Sequence, residues 1–354
     1  MAGPIAHIDL DAFFASVELS RRPELKGLPL IVAGSGPRAV VTTASYEARL
    51  FGVGSAMPAS QAKRLCPEAV VIAPNSAAYR EVSRAVMAII GDHIERFEQL
   101  GIDEAFLDLE GLHSPKSAIR RLVAQIYEQT SMRASVGIGP NRLVAKVASD
   151  AEKPNGFLVL TAEEARQRFA NSPVSLVPGI GPRTSERLGE MGIETLAQLR
   201  AADEESLIGR FGARQGPALV ALACFDASAE LVTDREAVSE SRETTFDQDI
   251  NSGDELEQAM RLLATELASA LQRNGRSGRT IRIKVRLDDW TTVTRARTIP
   301  ARTNNYETII NVAISLLREY GPQRPVRLVG VGVAGFAPRG QQHQLELPLE
   351  LPAA

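Results

Sequence analysis

The stretch IAHIDLDAFFASVELS, residues 5–20, decides the fold. Its first six residues are an apolar run that reads as a short strand, and DAFFASVELS, with alanines and apolar residues at helical spacing, reads as a turn entering a helix. Asp9 therefore stands at the end of a strand.

Working outward, AFLDLE (105–110) repeats the strand pattern directly after a second acidic pair, Asp103 and Glu104. LPLIVAG (28–34) is another strand, AVVTTASYEARLFG (39–52) passes from strand to helix, and MPASQAKRLCP (57–67) is a short helix stopped by Pro67, together forming a small inserted subdomain. Apolar residues three and four apart predict one helix over 77–100 and another over 117–131, and RASVGIG (133–139) is a strand. Strand, helix, strand, helix, strand with mixed pairing gives an α+β core of split βαβ (ferredoxin-like) type, with two acidic positions meeting on its central strands.

Residues 162–225 change to short helices broken by Gly and Pro around VPGIGPRTSERLGEMGI (177–193), and residues 226–240 are polar and read as a linker. A second α+β unit follows, with helices at 253–274 and 306–320 and strands at 279–289, 293–300 and 326–336. Residues from 338 on read as a flexible tail.

A chain of 354 residues is too long for one simple core, and its 44% hydrophobic and 23% charged composition is that of an ordinary globular protein. No apolar run approaches the roughly 20 residues that span a bilayer. MAGPIAHIDL lacks the pattern of a secretory signal, so the expectation is a cytoplasmic protein with no membrane partner. Cys66 and Cys224 have neither CxxC spacing nor a Cys/His cluster around them, which points away from a disulfide framework or zinc.

The net charge of −3 conceals an uneven distribution. Between Gln272 and Arg302 there are nine Lys and Arg, with only Asp288 and Asp289 opposing them. Arg279, Arg282, Lys284, Arg286, Arg295 and Arg297 alternate there with apolar residues such as Ile281, Ile283 and Val285, which predicts the cations on one face of a sheet. Solvated faces usually mix both signs, so this bias favours contact with a phosphate backbone.

Asp9, Asp103 and Glu104 could place three carboxylates around two divalent cations, with the carbonyl of Leu10 as a further ligand, a constellation suited to phosphoryl transfer. Tyr46 and Arg49 are three apart and share a helical face, with Thr43 at that helix's start, and Arg49 offers a fork for phosphate oxygens. Gly179 and Gly181 permit a helix-hairpin-helix turn that brings backbone N–H groups to a DNA phosphate, although such a turn also serves proteins that never touch DNA.

Four blocks, DLDAFFASVE (9–18), VTTASYEARLFGVGSAMP (41–58), GIDEAFLDLE (101–110) and SVGIGPNRLVAKVASDAEKPNG (135–156), resemble the Y-family DNA polymerases in their polymerase IV and polymerase kappa branch. The blocks stand in the family's order and spacing, and the resemblance runs from about His7 to Phe336. It implies a right-hand polymerase: palm at 1–18 and 76–165, small fingers at 19–75, helix-hairpin-helix thumb at 166–230, linker at 231–240, little finger at 241–337, and a tail.

The implied activity is low-fidelity, template-directed DNA synthesis from dNTPs with lesion bypass and no proofreading exonuclease. The implied cofactor is Mg2+, two ions held by Asp9, Asp103 and Glu104, with Mn2+ able to substitute. The resemblance further implies that Thr43, Tyr46, Arg49 and Lys153 grip the triphosphate and that Phe14 is a steric gate against a 2′-hydroxyl. It puts the small residues Thr42 and Ala56 over the templating base. Phe13 reads equally as a nucleotide contact or a core residue. QLELPL, through Gln344, Leu345, Leu347 and Leu349, resembles the peptide by which bacterial polymerases dock on a sliding clamp. The expected partners are primer-template DNA, dNTP and that clamp, and the expected state is a monomer. The competing readings are a nucleotidyl cyclase, which shares the metal-binding core, and a non-catalytic DNA-binding scaffold.

Overall fold

A computed structural model describes residues 3–234 and 236–337, so the clamp-peptide candidates Gln344, Leu345, Leu347 and Leu349 lie outside the described residues. The chain divides into two compact units, residues 1–35 with 39–234 and residues 36–38 with 235–354.

In the first unit, β1 (Ile5–Leu10) leads into α1 (Phe13–Arg21). Next come β2 (Leu30–Ala33), β3 (Val41–Ala44), the short helices α2 (Tyr46–Arg49) and α3 (Ala59–Leu65), and β4 (Val70–Ile72). Helix α4 (Ser76–His93), strands β5 (Phe97–Gln99) and β6 (Glu104–Asp108), helix α5 (Pro115–Thr130), β7 (Ala134–Gly139), α6 (Arg142–Ala151) and β8 (Phe157–Val159) follow. The helices α7 (Ala162–Arg168), α8 (Pro182–Gly189), α9 (Leu196–Ala201), α10 (Glu204–Phe211) and α11 (Gln215–Ala223) end the unit.

The central sheet has the order β5-β6-β1-β7-β8, and β1 lies antiparallel to both of its neighbours. Alternation along β1 sends Ala6, Ile8 and Leu10 into a core built with Val86, Ile90, Ile119, Leu122 and Ile126 of α4 and α5. His7 and Asp9 turn to the opposite face, where α6 packs. Gly137 and Gly139 of β7 allow that close approach: a Cβ on Gly137 would overlap the Ala145 carbonyl oxygen, and one on Gly139 would lie 2.5 Å from Val144 Cγ1.

β2, β3 and β4 form a separate three-stranded sheet with its own small core around Ile31, Val41 and Ala62. The helices from α7 to α11 pack on Leu143, Val144 and Val147, so α6 is buried on both its sides.

The second unit is a four-stranded antiparallel sheet of order β11-β10-β12-β9, made of β9 (Ser239–Ile250), β10 (Gly278–Leu287), β11 (Thr292–Thr303) and β12 (Val326–Phe336). One face is covered by α12 (Gly253–Arg273) and α13 (Tyr306–Tyr320), whose Met260, Leu267, Ile310 and Leu317 meet Ile281, Ile283, Val285 and Val331.

Two sequence expectations are corrected. The helix expected over 77–100 ends at His93, because Ile94 adopts extended angles and Phe97–Gln99 is claimed by β6 as an edge strand. β9 falls partly in the stretch read as linker, and its polar sequence conceals it: burial alternates along the strand, but the half-buried positions are filled by Glu240, Arg242 and Thr244, so SESRETTFDQDI carries no apolar alternation.

Candidate active site

β1 and β6 are paired so that Asp9 stands directly opposite Glu104, and the Leu10 amide donates to the Asp103 carbonyl at 2.9 Å. The three carboxylates named from sequence are thus on adjacent central strands at the same sheet end. Their immediate partners, however, are cations from α6 and the loop after it.

Lys153 Nζ lies 2.7 Å from Asp9 Oδ1 and 2.6 Å from Asp150 Oδ1. Lys146 Nζ forms a short ion pair with Glu104, and the buried His7 places Nε2 3.1 Å from Glu104 Oε2 and Nδ1 2.7 Å from Ser149 Oγ. Among the described residues no three His, Cys, Asp or Glu side chains stand ready-made as a metal cage. Acidic groups this close repel one another, and Lys146 and Lys153 offset part of that charge.

The charge states reflect the same strain. Burial raises the carboxyl pKa of Asp9 despite Lys153, with the Asp103 charge adding to the rise. Asp103 is raised likewise, by burial and by Glu104. Glu104 goes the other way, to about 2, because His7 and Lys146 hydrogen-bond its charged form. Lys153 is held above its ordinary value; burial opposes this, but Asp9 and Asp150 outweigh it. Asp9 and Asp103, half-buried at one sheet end and both hard oxygen donors, are a donor set suited to Mg2+. Glu104 meets both His7 and Lys146 through Oε2, so its other carboxylate oxygen can join that set.

Asp9, Leu10 and Asp103 line a cavity of about 220 Å³. Thr42, Thr43, Tyr46, Arg49 and Lys153 line it too, as do Phe13 and Phe14. Glu104 and Ala56 do not; Ala56 is exposed at a positive φ of 65° beside Ser55, which is in the lining. Thr43 is corrected from helix start to strand β3; the N-cap of α2 is Ser45, whose side chain accepts from the Ala48 amide. The Arg49 guanidinium lies 4.8 Å over the Tyr46 ring and donates to the Ala44 carbonyl, which holds it at the cavity wall.

Phe13 is 3% exposed and belongs to the core as well as the cavity wall, so both readings apply to it. Phe14 stacks on Tyr79 with centroids 4.3 Å apart and planes at 10°. Tyr79 is itself fixed by donating to Glu18 at 2.9 Å.

Several supporting residues escape sequence reading. Asp11 is a buried hub that accepts from Tyr46 at 3.3 Å, Ser135 at 2.8 Å and the Asn155 amide at 2.7 Å, tying the nucleotide-side helix to the sheet and to the Lys153 loop. The spacing of Asp9 and Asp11 was the available signal. Lys146, His7 and Tyr79 had none, since their roles depend on pairing across 42, 97 and 61 residues.

The DNA-contact candidates are divided. Gly179 has a φ of 102°, Gly181 is the N-cap of α8, and Pro182 opens that helix. In β10 and β11 the register corrects the expectation of a single cationic face. Arg282 pairs with Ala296 and Lys284 with Thr294 on the open face, whereas Arg295 and Arg297 stand opposite Ile283 and Ile281 on the helix side. Arg297 reaches Ser315 and Glu319, and Arg295 lies over Tyr320. The hairpin offsets the two strands so that β11's arginines share parity with β10's isoleucines, which spacing along one strand cannot reveal. On the open face Lys284 is paired with Glu243 of β9 at 2.9 Å, and Arg279 is exposed at the bulged end of β10.

Comparison with known proteins fits this architecture. The impB/mucB/samB family matches residues 8–150, and its C-terminal domain matches residues 237–347. The chain is 40% identical over 337 residues to DNA polymerase IV of Caulobacter vibrioides, covering 94% of this chain and 83% of that one. It is 38% identical over 347 residues to DNA polymerase IV of Streptomyces coelicolor, covering 96% and 72%. A solved Y-family DNA polymerase chimera, Dbh-Dpo4(243-245)-Dbh, aligns with a TM-score of 0.84 and 27% identity over 94% of this chain and 98% of that one. Fold and site together define a DNA-directed DNA polymerase of the right-handed, α+β multidomain kind. The chain belongs to the impB/mucB/samB family of Y-family polymerases, in its DNA polymerase IV branch. It is a translesion DNA polymerase, and its substrates are DNA and dNTPs.

Proposed function

We propose that this polymerase joins nucleotides by two-metal-ion transfer, with Asp9, Asp103 and Glu104 as the carboxylate ligands and the Leu10 carbonyl beside them. The observation that carries the reading is the cross-strand pair Asp9 and Glu104 at one sheet end, with Asp103 adjacent and the cavity of nucleotide candidates in front. When bound there, two Mg2+ ions, or Mn2+ in their place, would lower the primer hydroxyl's pKa and neutralise charge on the phosphates.

The chain's own residues do the rest. Lys153, released from Asp9, turns its ammonium to the triphosphate, and Lys146 stays on Glu104 Oε2 and leaves the second carboxylate oxygen for a metal. Thr43, Tyr46 and Arg49 hold the phosphates from the opposite wall. Phe14, braced by the Tyr79 ring, occupies the space a 2′-hydroxyl would need. Thr42 and Ala56 leave little bulk over the templating base, which gives low fidelity, and no exonuclease corrects it.

DNA phosphates are met by the amides around Gly179 and Gly181, and by Arg279, Arg282, Lys284 and Arg286. Arg295 and Arg297 are left out of that set because they are committed to α13. The palm, fingers, thumb and little finger occupy the ranges given above, and the protein works as a cytoplasmic monomer with the QLELPL peptide docking on a sliding clamp. Among the described residues no helix is long and apolar enough to cross a membrane.

Primer extension with Mg2+ and dNTPs tests the core of this. Asp103→Ala should lower the rate by at least about a thousandfold while primer-template affinity changes less than about threefold. Extension at near-normal rate by that variant refutes the metal assignment.

A further inference from the structure

The chain has a single tryptophan, and it is exposed. Trp290 is at the tip of the β10–β11 hairpin of the second unit, 62% exposed and at a φ of 68°, a left-handed position that glycine or asparagine fills at less cost. Its amide donates to the Leu287 carbonyl to close the turn, a bond any residue could make. The ring is flanked by two guanidinium groups, Arg327 at 4.3 Å and Arg286 at 5.7 Å from its centroid. The two acids of the turn do not answer those cations: Asp288 accepts from Arg324 at 2.8 Å, and Asp289 lies 3.6 Å from the same guanidinium.

Arg286 is also the last of a row. Arg282, Lys284 and Arg286 alternate along β10 on the open face, about 6.6 Å apart, and the row ends at Trp290. Cations in file that end in an exposed aromatic ring are the combination by which single-stranded nucleic acid is held: the charges follow the backbone and the ring stacks a base. A paired duplex offers no free base face except at its ends.

We infer that Trp290, with Arg286 and Arg327, is a stacking platform for an unpaired base of single-stranded template DNA that follows the β10 cations. The inference rests on the reading of the open face as the DNA-binding face and adds to it a preference for unpaired template that the cations alone do not give.

Because Trp290 is the only tryptophan, intrinsic fluorescence of the intact protein reports this site directly and needs no catalysis. The protein is titrated at low salt with a blunt duplex, with the same duplex carrying an unpaired template overhang, and with an oligothymidylate. Saturable quenching by the overhang substrate and the oligothymidylate, with little change on the blunt duplex, is the expected result. Trp290→Ala should weaken overhang binding roughly tenfold relative to blunt duplex, and Trp290→Phe should restore most of it. Unchanged fluorescence at saturating overhang DNA overturns the inference. So does a Trp290→Ala defect equal on both substrates, which marks a merely structural role. Failure of the polymerase reading is seen separately, as absence of primer extension by the unaltered protein.

Discussion

The carboxylate end of the first unit and the open sheet face of the second handle charge in opposite ways. At the first, Asp9 and Glu104 each have a lysine against them, the groups are partly or wholly withdrawn from water, and the pKa values are driven apart. At the second, Arg282, Lys284 and Arg286 are strung along one strand at the surface, and the Lys284–Glu243 pair between half-exposed groups contributes about 1 kcal/mol or less. The difference separates chemistry from grip. A site that holds charge at atomic precision needs few, converged and mutually constrained groups; a surface that holds a polyanion needs many equivalent ones, any of which is expendable.

That contrast sets the scale of the expected effects. Phe14 belongs to the converged region, so Phe14→Ala should lower discrimination against ribonucleotides by roughly a hundredfold while extension with dNTPs persists, measured as the ratio of kcat/KM for matched ribo- and deoxynucleotides. A change under about threefold would remove Phe14 from the gate and leave it as packing on Tyr79. On the distributed face, replacing both Arg282 and Lys284 with Ala should weaken primer-template binding about tenfold near 0.1 M salt and flatten the plot of log affinity against log salt by close to two, one step per lost phosphate contact. A salt slope unaltered by the double change would mean the DNA passes elsewhere. Arg295→Ala is the smallest: its guanidinium faces Tyr320 across the helix layer, so the slope should stay put and thermal stability fall by about 0.5–1 kcal/mol for the lost ring contact. If Arg295→Ala flattens the slope as much as Arg282→Ala, the division of the two strands by register is mistaken.

What the sequence discloses follows the same division. Asp9 is legible because an apolar run stops at it, and Asp103 with Glu104 because the next strand pattern begins there; both are local signals. Their neighbours are not local. Lys146 comes from α6 and Lys153 from the loop after it, and each meets its carboxylate only through the packing of that helix on the sheet, a contact that spacing along the chain does not disclose. Gly137 and Gly139, which admit that helix to the sheet, read along one strand only as small residues among apolar ones. β9 is silent because polar side chains such as Glu240, Arg242 and Thr244 fill its half-buried face, and Phe97–Gln99 reads as helix because its alternation is too short to compete with the pattern before it. The error over Arg295 and Arg297 is of another kind: each strand's alternation was right, and only the hairpin register, set by the turn around Trp290, decides whether two alternations point the same way.

The metal assignment is best tested by counting ions rather than by rate. Electron paramagnetic resonance of Mn2+ bound to the protein with primer-template and a non-hydrolysable dNTP analogue should give two ions per chain in the unaltered protein and no more than one in Asp103→Ala. Two ions in both would contradict the claim that Asp9, Asp103 and Glu104 together hold the pair.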